Sequence, residues 1–313
     1  MSGRSHPARQ PPGRTSANTI ETLVIRASGE PVPGATVGSA AEPRFAAPVV
    51  AAALGGPVTF LGRGAFGDTW RRGATAVKII CADDYPTERL RREVDGLTRV
   101  RSPHVVRLLE TTTTRLGGAD RPTLVFEYIE GGDLAARLVQ GERPSAEGAL
   151  TLLLGLLEGV RDLHAVGTVH RDIKPGNVAL RDARWASPVI LDLGLARGVD
   201  DKTFTVYPGL IGTARYMAPE QLAGQRARKA ADLFAIGVTV REVFDGRHPF
   251  YEPGVNYTFA EAQDRISQGP LALSNDMPEF ARSLLDRLVA PAEHDRGSAV
   301  SAIRRLQEGV SPT

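Results

Sequence analysis

His170-Arg171-Asp172-Ile173-Lys174-Pro175-Gly176-Asn177 is the stretch on which the reading of this chain turns. An aspartate sits five residues before an asparagine, in a loop held by proline. Farther on, after the apolar strand Pro188–Leu191, comes Asp192-Leu193-Gly194, and Gly212-Thr213-Ala214-Arg215-Tyr216-Met217-Ala218-Pro219-Glu220 closes the series.

Working back towards the N-terminus, Gly62-Arg63-Gly64-Ala65-Phe66-Gly67 is a glycine-rich turn whose bare backbone can lie over phosphates. A dinucleotide-binding fingerprint should open a helix, whereas a strand hairpin follows this turn. Ala76-Val77-Lys78 ends the hairpin and sets one lysine on a strand beside the turn, where it can meet phosphates as a point charge. Glu93, on the helix that follows, is the obvious carboxylate to hold that lysine. Each feature has an ordinary reading when taken alone: incidental glycines in a turn, a surface lysine, a solvated helix face. Their order along one chain is what argues against those readings.

The rest of the chain is consistent with a large soluble domain. It has 313 residues and a net charge of +2, too small to argue for nucleic acid or a membrane as the main partner. Cys81 is the only cysteine, which leaves no internal disulfide framework and fits a reducing cytoplasmic setting. The most apolar run, Ala149–Leu157, is well short of the ~20 residues a spanning helix needs. Ala46–Leu61 is also apolar, but Pro48, Gly55, Gly56 and Pro57 are expected to spoil it as a helix.

Residues 1–50 read as an N-terminal extension, largely disordered, with Thr22–Arg26 as one short strand candidate. From Pro57 to Tyr128 the pattern is mainly strands: Thr59–Leu61, Asp68–Arg71, Thr75–Ile80, Val105–Thr113 and Pro122–Tyr128. Thr87–Arg101, with Leu90, Val94, Leu97 and Val100 at helical spacing, is the exception. After Gly131 helices dominate, from Ser145 to about Val166 and then over Pro219–Leu222, Ala230–Phe244, Thr258–Gln268 and Pro278–Leu288. The expected fold is α+β and two-lobed: a small antiparallel-sheet lobe with one helix over 51–130, a mainly helical lobe over 131–309, and a tail over 310–313.

Taken together, the motifs resemble the protein kinase family, specifically its bacterial serine/threonine branch, over about residues 57–309. The resemblance implies ATP and Mg2+ as cofactors, with Mn2+ as a substitute for magnesium. It implies that Leu61, Gly62, Gly64 and Gly67 cover the nucleotide and that Lys78 binds its phosphates while paired with Glu93. Asp172 would orient the incoming hydroxyl and accept its proton, Lys174 would steady the transferred group, and Asn177 and Asp192 would hold the metal. Phe126 would be the gatekeeper, the backbones of Glu127 and Ile129 would meet adenine, and Asp133 the ribose. Thr213 would contact Asp172 and Lys174. Leu97, His170 and Leu193 would form an apolar spine, Glu220 would pair with Arg296, and Asp232 would hold the catalytic loop.

None of the departures from the family pattern removes a catalytic group. The hairpin between Gly67 and Lys78 is short, so a stiffer phosphate-covering loop is expected. Thr69 stands where valine is usual above the base, and Ala179 where a larger apolar side chain forms the floor. Nucleotide binding weaker than the family's usual is therefore expected, with the chemistry intact.

Arg171 and Arg197 resemble a clamp for a phosphate on the loop between them and Gly212, with Thr203 and Thr205 as acceptors and Thr205 the first choice. Autophosphorylation there suggests a homodimer as one working arrangement; the substrate protein is not named by the sequence. Two other readings stand beside the kinase: a pseudokinase scaffold, and a small-molecule kinase of related fold. The intact Gly212–Glu220 segment speaks against the second.

Overall fold

Alternating side chains between Thr59 and Glu127 build a five-stranded antiparallel sheet, and the apolar runs beyond it build a helical lobe. The computed structural model describes residues 42–64, 66–83, 85–192 and 212–310; the side chains of Arg89, Arg92, Glu93 and Thr213 fall outside that description. Leu193, Arg197, Thr203, Thr205 and the Thr22–Arg26 strand candidate lie outside the described residues.

A compact unit begins at Arg44. Its first element is α1 (Ala47–Leu54), which crosses the boundary expected at residue 50 and lies in a stretch read as spoiled for a helix. The physical reason is position. Pro48 occupies the first turn, where a missing N–H costs no hydrogen bond, and Gly55 ends the helix in the left-handed conformation at φ 72°.

Strands β1 (Thr59–Arg63), β2 (Gly67–Arg72) and β3 (Thr75–Ile80) follow, then α2 (Thr87–Arg99), β4 (Leu108–Leu116) and β5 (Ala119–Glu127). The sheet order is β1-β2-β3-β5-β4, every pair antiparallel. Gly117 and Gly118, both at positive φ, make the two-residue turn of the β4–β5 hairpin. The strand expected from Val105 starts later. Val105 instead bridges Ile190 in the other lobe, and Val106 donates to Ile190 O at 2.9 Å.

Pleating divides the sheet's side chains between two cores. Val77 and Ile79 of β3 join Trp70, Leu116 and Val50 of α1, so the small lobe carries a second helix besides the expected α2. Ala76 and Leu124 face the other way and join Leu97, Val106, Phe126 and Leu163.

The helical lobe contains α3 (Leu134–Val139), α4 (Ala146–Ala165), β6 (Val178–Leu180), β7 (Pro188–Ile190), α5 (Pro219–Leu222), α6 (Lys229–Asp245), α7 (Phe259–Ser267), α8 (Glu279–Leu288), α9 (Glu293–Arg296) and α10 (Ala299–Val310). Ser145 caps α4 by accepting from Gly148 N at 3.2 Å. Leu152, Leu153, Leu156, Leu157 and Val160 of α4 are fully buried against Leu233, Ile236 and Val240 of α6, and Ile303 and Leu306 of α10 close that core. The run Ala149–Leu157 is thus buried in the core of the large lobe. Among the described residues no helix is long and apolar enough to cross a membrane.

Glu220 and Arg296 pair as expected, in a two-pronged fork of 2.7 and 2.9 Å. Arg296 also donates to Ala290 O and Pro291 O, so its buried guanidinium is satisfied on all sides.

Candidate active site

The loop that carries Asp172 is shaped by a carboxylate beneath it. Asp232, fully buried on α6, accepts from the backbone N–H of His170 at 2.9 Å and of Arg171 at 2.7 Å. His164 of α4 lies 2.8 Å from the same carboxylate. Arg171 has φ 69°, a left-handed conformation that an arginine holds only where its surroundings over-determine it. They do. Its N–H is fixed by Asp232 and its C=O accepts from Gln221 Nε2 at 3.2 Å. His170 accepts from Asp172 N at Nδ1, so Nε2–H donates to Leu191 O at 2.8 Å and ties the loop to the end of β7.

Asp172 itself is asymmetrically bonded. Its Oδ2 accepts from Lys174 Nζ at 3.0 Å and Asn177 Nδ2 at 2.9 Å. Its Oδ1 is buried and accepts no hydrogen bond among the described residues. Asn177 also donates to Asp172 O at 2.8 Å, which commits its amide nitrogen and leaves its amide oxygen for another ligand.

Across the cleft, Lys78 on β3 forms an ion pair with Asp192. Desolvation pushes the Asp192 carboxyl up, but the charge and hydrogen bond of Lys78 outweigh it, with His170 and Lys174 adding, and hold it below the usual carboxylate range. The expected partner, Glu93, sits on α2 with its side chain outside the described residues, so the described partner of Lys78 is Asp192.

A cleft of about 630 Å³ joins these groups. Leu61, Gly62, Gly64, Lys78, Glu127, Ile129, Asp133, Arg171, Asp172, Lys174, Asn177 and Asp192 all line it, as do Thr69, Phe126 and Ala179. Gly67 does not. A Cβ at Gly67 would lie 2.1 Å from Ile79 O, so this glycine is needed for β2 to approach β3, whereas Gly62 has open space around it. Asp133 lines the cleft while its carboxylate caps α3, accepting from Ala136 N at 2.8 Å.

Some residues of the site carry no sequence signal. Arg181 grips Glu127 with two bonds of 3.1 and 3.2 Å, and Arg107 N donates to the same carboxylate at 3.0 Å, bracing the junction of the lobes. These partners are 54 and 20 residues apart, and no spacing rule links them. Met217 and Val106 also face the cleft.

Behind Met217 lies a buried polar cluster. Tyr216 Oη donates to Glu242 at 2.6 Å. Burial raises the Glu242 carboxyl, against the pull of Tyr216 and Arg215, and burial together with Glu242 raises the tyrosine hydroxyl. His248 is pushed down to about 3 by burial and by the Arg215 charge. It is the neutral ring, accepting at Nδ1 from Phe250 N and Tyr251 N and donating from Nε2 to Arg215 O.

Residues 58–306 match the family model described as protein kinase domain. The chain is 29% identical over 248 residues to a probable serine/threonine-protein kinase, PknB, of Bifidobacterium longum, covering 76% of this chain and 36% of that one. It is 32% identical over 249 residues to a probable serine/threonine-protein kinase of Streptomyces coelicolor, with the same coverage of both. It is 30% identical over 246 residues to the serine/threonine-protein kinase PknA of Mycobacterium tuberculosis, covering 76% of this chain and 56% of that one. The chain thus spans about a third to a half of the length of these relatives.

Proposed function

The chain belongs to the protein kinase family, and on that premise we propose that it transfers the terminal phosphoryl group of ATP to serine and threonine hydroxyls of protein substrates. The observation that carries this reading is the state of Asp172. One oxygen is occupied by Lys174 and Asn177, and the other is buried and unbonded among the described residues. A substrate hydroxyl entering the cleft that Asp172 lines would meet this carboxylate and be oriented by it for in-line attack. Lys174, 3.0 Å from the other oxygen, is placed to share its charge with the group in transfer.

Magnesium fits the residues present. That cation takes oxygen ligands, and one or two protein oxygens suffice when substrate phosphates and water complete its shell. The amide oxygen of Asn177 and the carboxylate of Asp192 would hold it. When bound, the cation neutralises charge on the phosphates. Lys78 then contributes a second positive charge from β3, and the glycine-rich turn closes the cleft from above.

Autophosphorylation on Thr203 or Thr205, read by Arg171 and Arg197, belongs to the same proposal. So do action in the cytoplasm and transfer between two copies of the chain.

The test is incubation of the purified chain with magnesium and labelled ATP, beside Asp172→Asn and a metal-free control. Label on serine and threonine is expected, falling about a hundredfold or more in the variant. Equal labelling by Asp172→Asn would overturn the assignment, and nucleotide binding without any transfer would support a scaffold instead.

A further inference from the structure

We propose that Arg44 is a positioning residue for the nucleotide phosphates, holding the glycine-rich turn in its nucleotide-ready shape through Asp68 and Gly64. This rests on the reading of the cleft as an ATP site.

Asp68 follows Gly67 directly and is 1% exposed, so a carboxylate lies buried at the exit of the turn. A buried carboxylate is stable only with charged or hydrogen-bonding partners. Arg44 supplies both. Its backbone N–H donates to Asp68 Oδ2 at 2.6 Å, and its guanidinium forms an ion pair with Oδ1. The other arm of the same guanidinium donates to Gly64 O at 2.9 Å. Gly64 N in turn donates to Gly67 O at 2.8 Å, so the two legs of the turn are tied to each other and to one arginine.

Arg44 is not a loose end. Phe45, next in the chain, packs in the core that Val50 and Trp70 share. It fills the space beside Gly117, where a Cβ would come within 2.6 Å of its ring, and the Arg121 guanidinium stands 5.3 Å above it. The arginine is therefore fixed from behind while its fork reaches the turn.

A turn with three glycines in six residues has more conformations to lose than one without them. Ordering it before the nucleotide arrives removes that loss from the binding step. The gain falls on ligands that the turn covers through their phosphates. Adenosine, which has none, should bind without regard to Arg44.

The experiment compares the full chain with Arg44→Ala and Arg44→Lys. ATP and adenosine dissociation constants, KM for ATP, kcat and melting temperature are measured on each. Arg44→Ala is expected to weaken ATP about fivefold to tenfold while leaving adenosine affinity and kcat within about twofold. Arg44→Lys, which keeps the charge for Asp68 but lacks the fork, should fall between the alanine variant and the parent.

Unchanged ATP affinity in Arg44→Ala would overturn the proposal. So would a parallel loss of adenosine and ATP, which is the mark of a merely structural residue. Should the alanine variant not fold, the lysine variant decides by the same two affinities. A parent chain that binds ATP but transfers no phosphoryl group would overturn the kinase reading and leave the affinity comparison standing. A parent that binds no ATP would overturn both.

Discussion

Two buried aspartates each hold a functional loop, and they do it differently. Asp232 sits on the central helix of the large lobe, and all its partners, His164 and the N–H groups of His170 and Arg171, are core groups. Asp68 sits on β2, directly after the glycine-rich turn, and its partner Arg44 is a side chain still 22% exposed, at the start of the compact unit. The Asp172 loop is fixed by the core, while the glycine-rich turn, the proposed phosphate cover, is fixed by a piece of chain at the periphery. A loop whose geometry sets the reaction must not move; a cover must be able to.

The sharpest way to break this contrast is Asp232→Ala. It leaves two backbone N–H groups buried without acceptors and should destabilise the chain by about 3 kcal/mol or more. kcat should fall too, even per folded molecule, because Arg171 loses what holds its left-handed conformation. Denaturant titration beside kcat measures both; a stable variant with full kcat would erase the distinction between the two aspartates.

Arg296→Ala sharpens it from the other side. It strands Glu220, at about 3–5 kcal/mol, yet among the described residues Arg296 hydrogen-bonds to none of the Asp172 loop. Stability should drop as far as in Asp232→Ala, with kcat per folded molecule within about twofold of the parent. Active-site titration is the check.

His248 gives a pH-dependent version. An unfolded histidine takes up its proton near pH 6.5, the folded one near 3. Between those values the unfolded chain holds the extra proton, so this contribution is full above pH 6.5 and falls as the pH drops. Glu242, raised by burial, works in the opposite sense: its contribution is present at low pH and lost as pH rises through its folded value. Comparing the parent with His248→Gln cancels the Glu242 effect, and melting temperature in the variant should fall less steeply between pH 6.5 and 4.

The smallest effect is expected at the cleft floor. Ala179→Leu adds apolar contact below the base and should lower KM for ATP about threefold, on the scale of a single methylene. A rise would mean that Ala179, buried in β6 and already packed, has no room to grow.

Much of this was legible in the sequence because the groups concerned are short-range or patterned. The hairpin turn at Gly73, the helix at Thr87 with its apolar spacing and the loop Asp172–Asn177 all follow from local chemistry. Helix α1 was misread because proline breaks a helix interior but suits its first turn. Helix α10 does carry apolar residues at helical spacing, Ala299, Ala302, Ile303 and Leu306. Small alanines among them weaken that signal. The braces Arg44–Asp68 and Arg181–Glu127 leave no local trace, since each joins charges that the fold alone brings together.

The short hairpin between the glycine-rich turn and Lys78 has a mechanical consequence. Thr69 pairs directly with Lys78, and only Gly73 and Ala74 separate β2 from β3. Such a hairpin is a crank without slack, in which lid and cation swing as one part. If the turn covers the nucleotide as proposed, lifting it to let product out would draw the ammonium away from Asp192, so product release and the parting of that ion pair would be a single event.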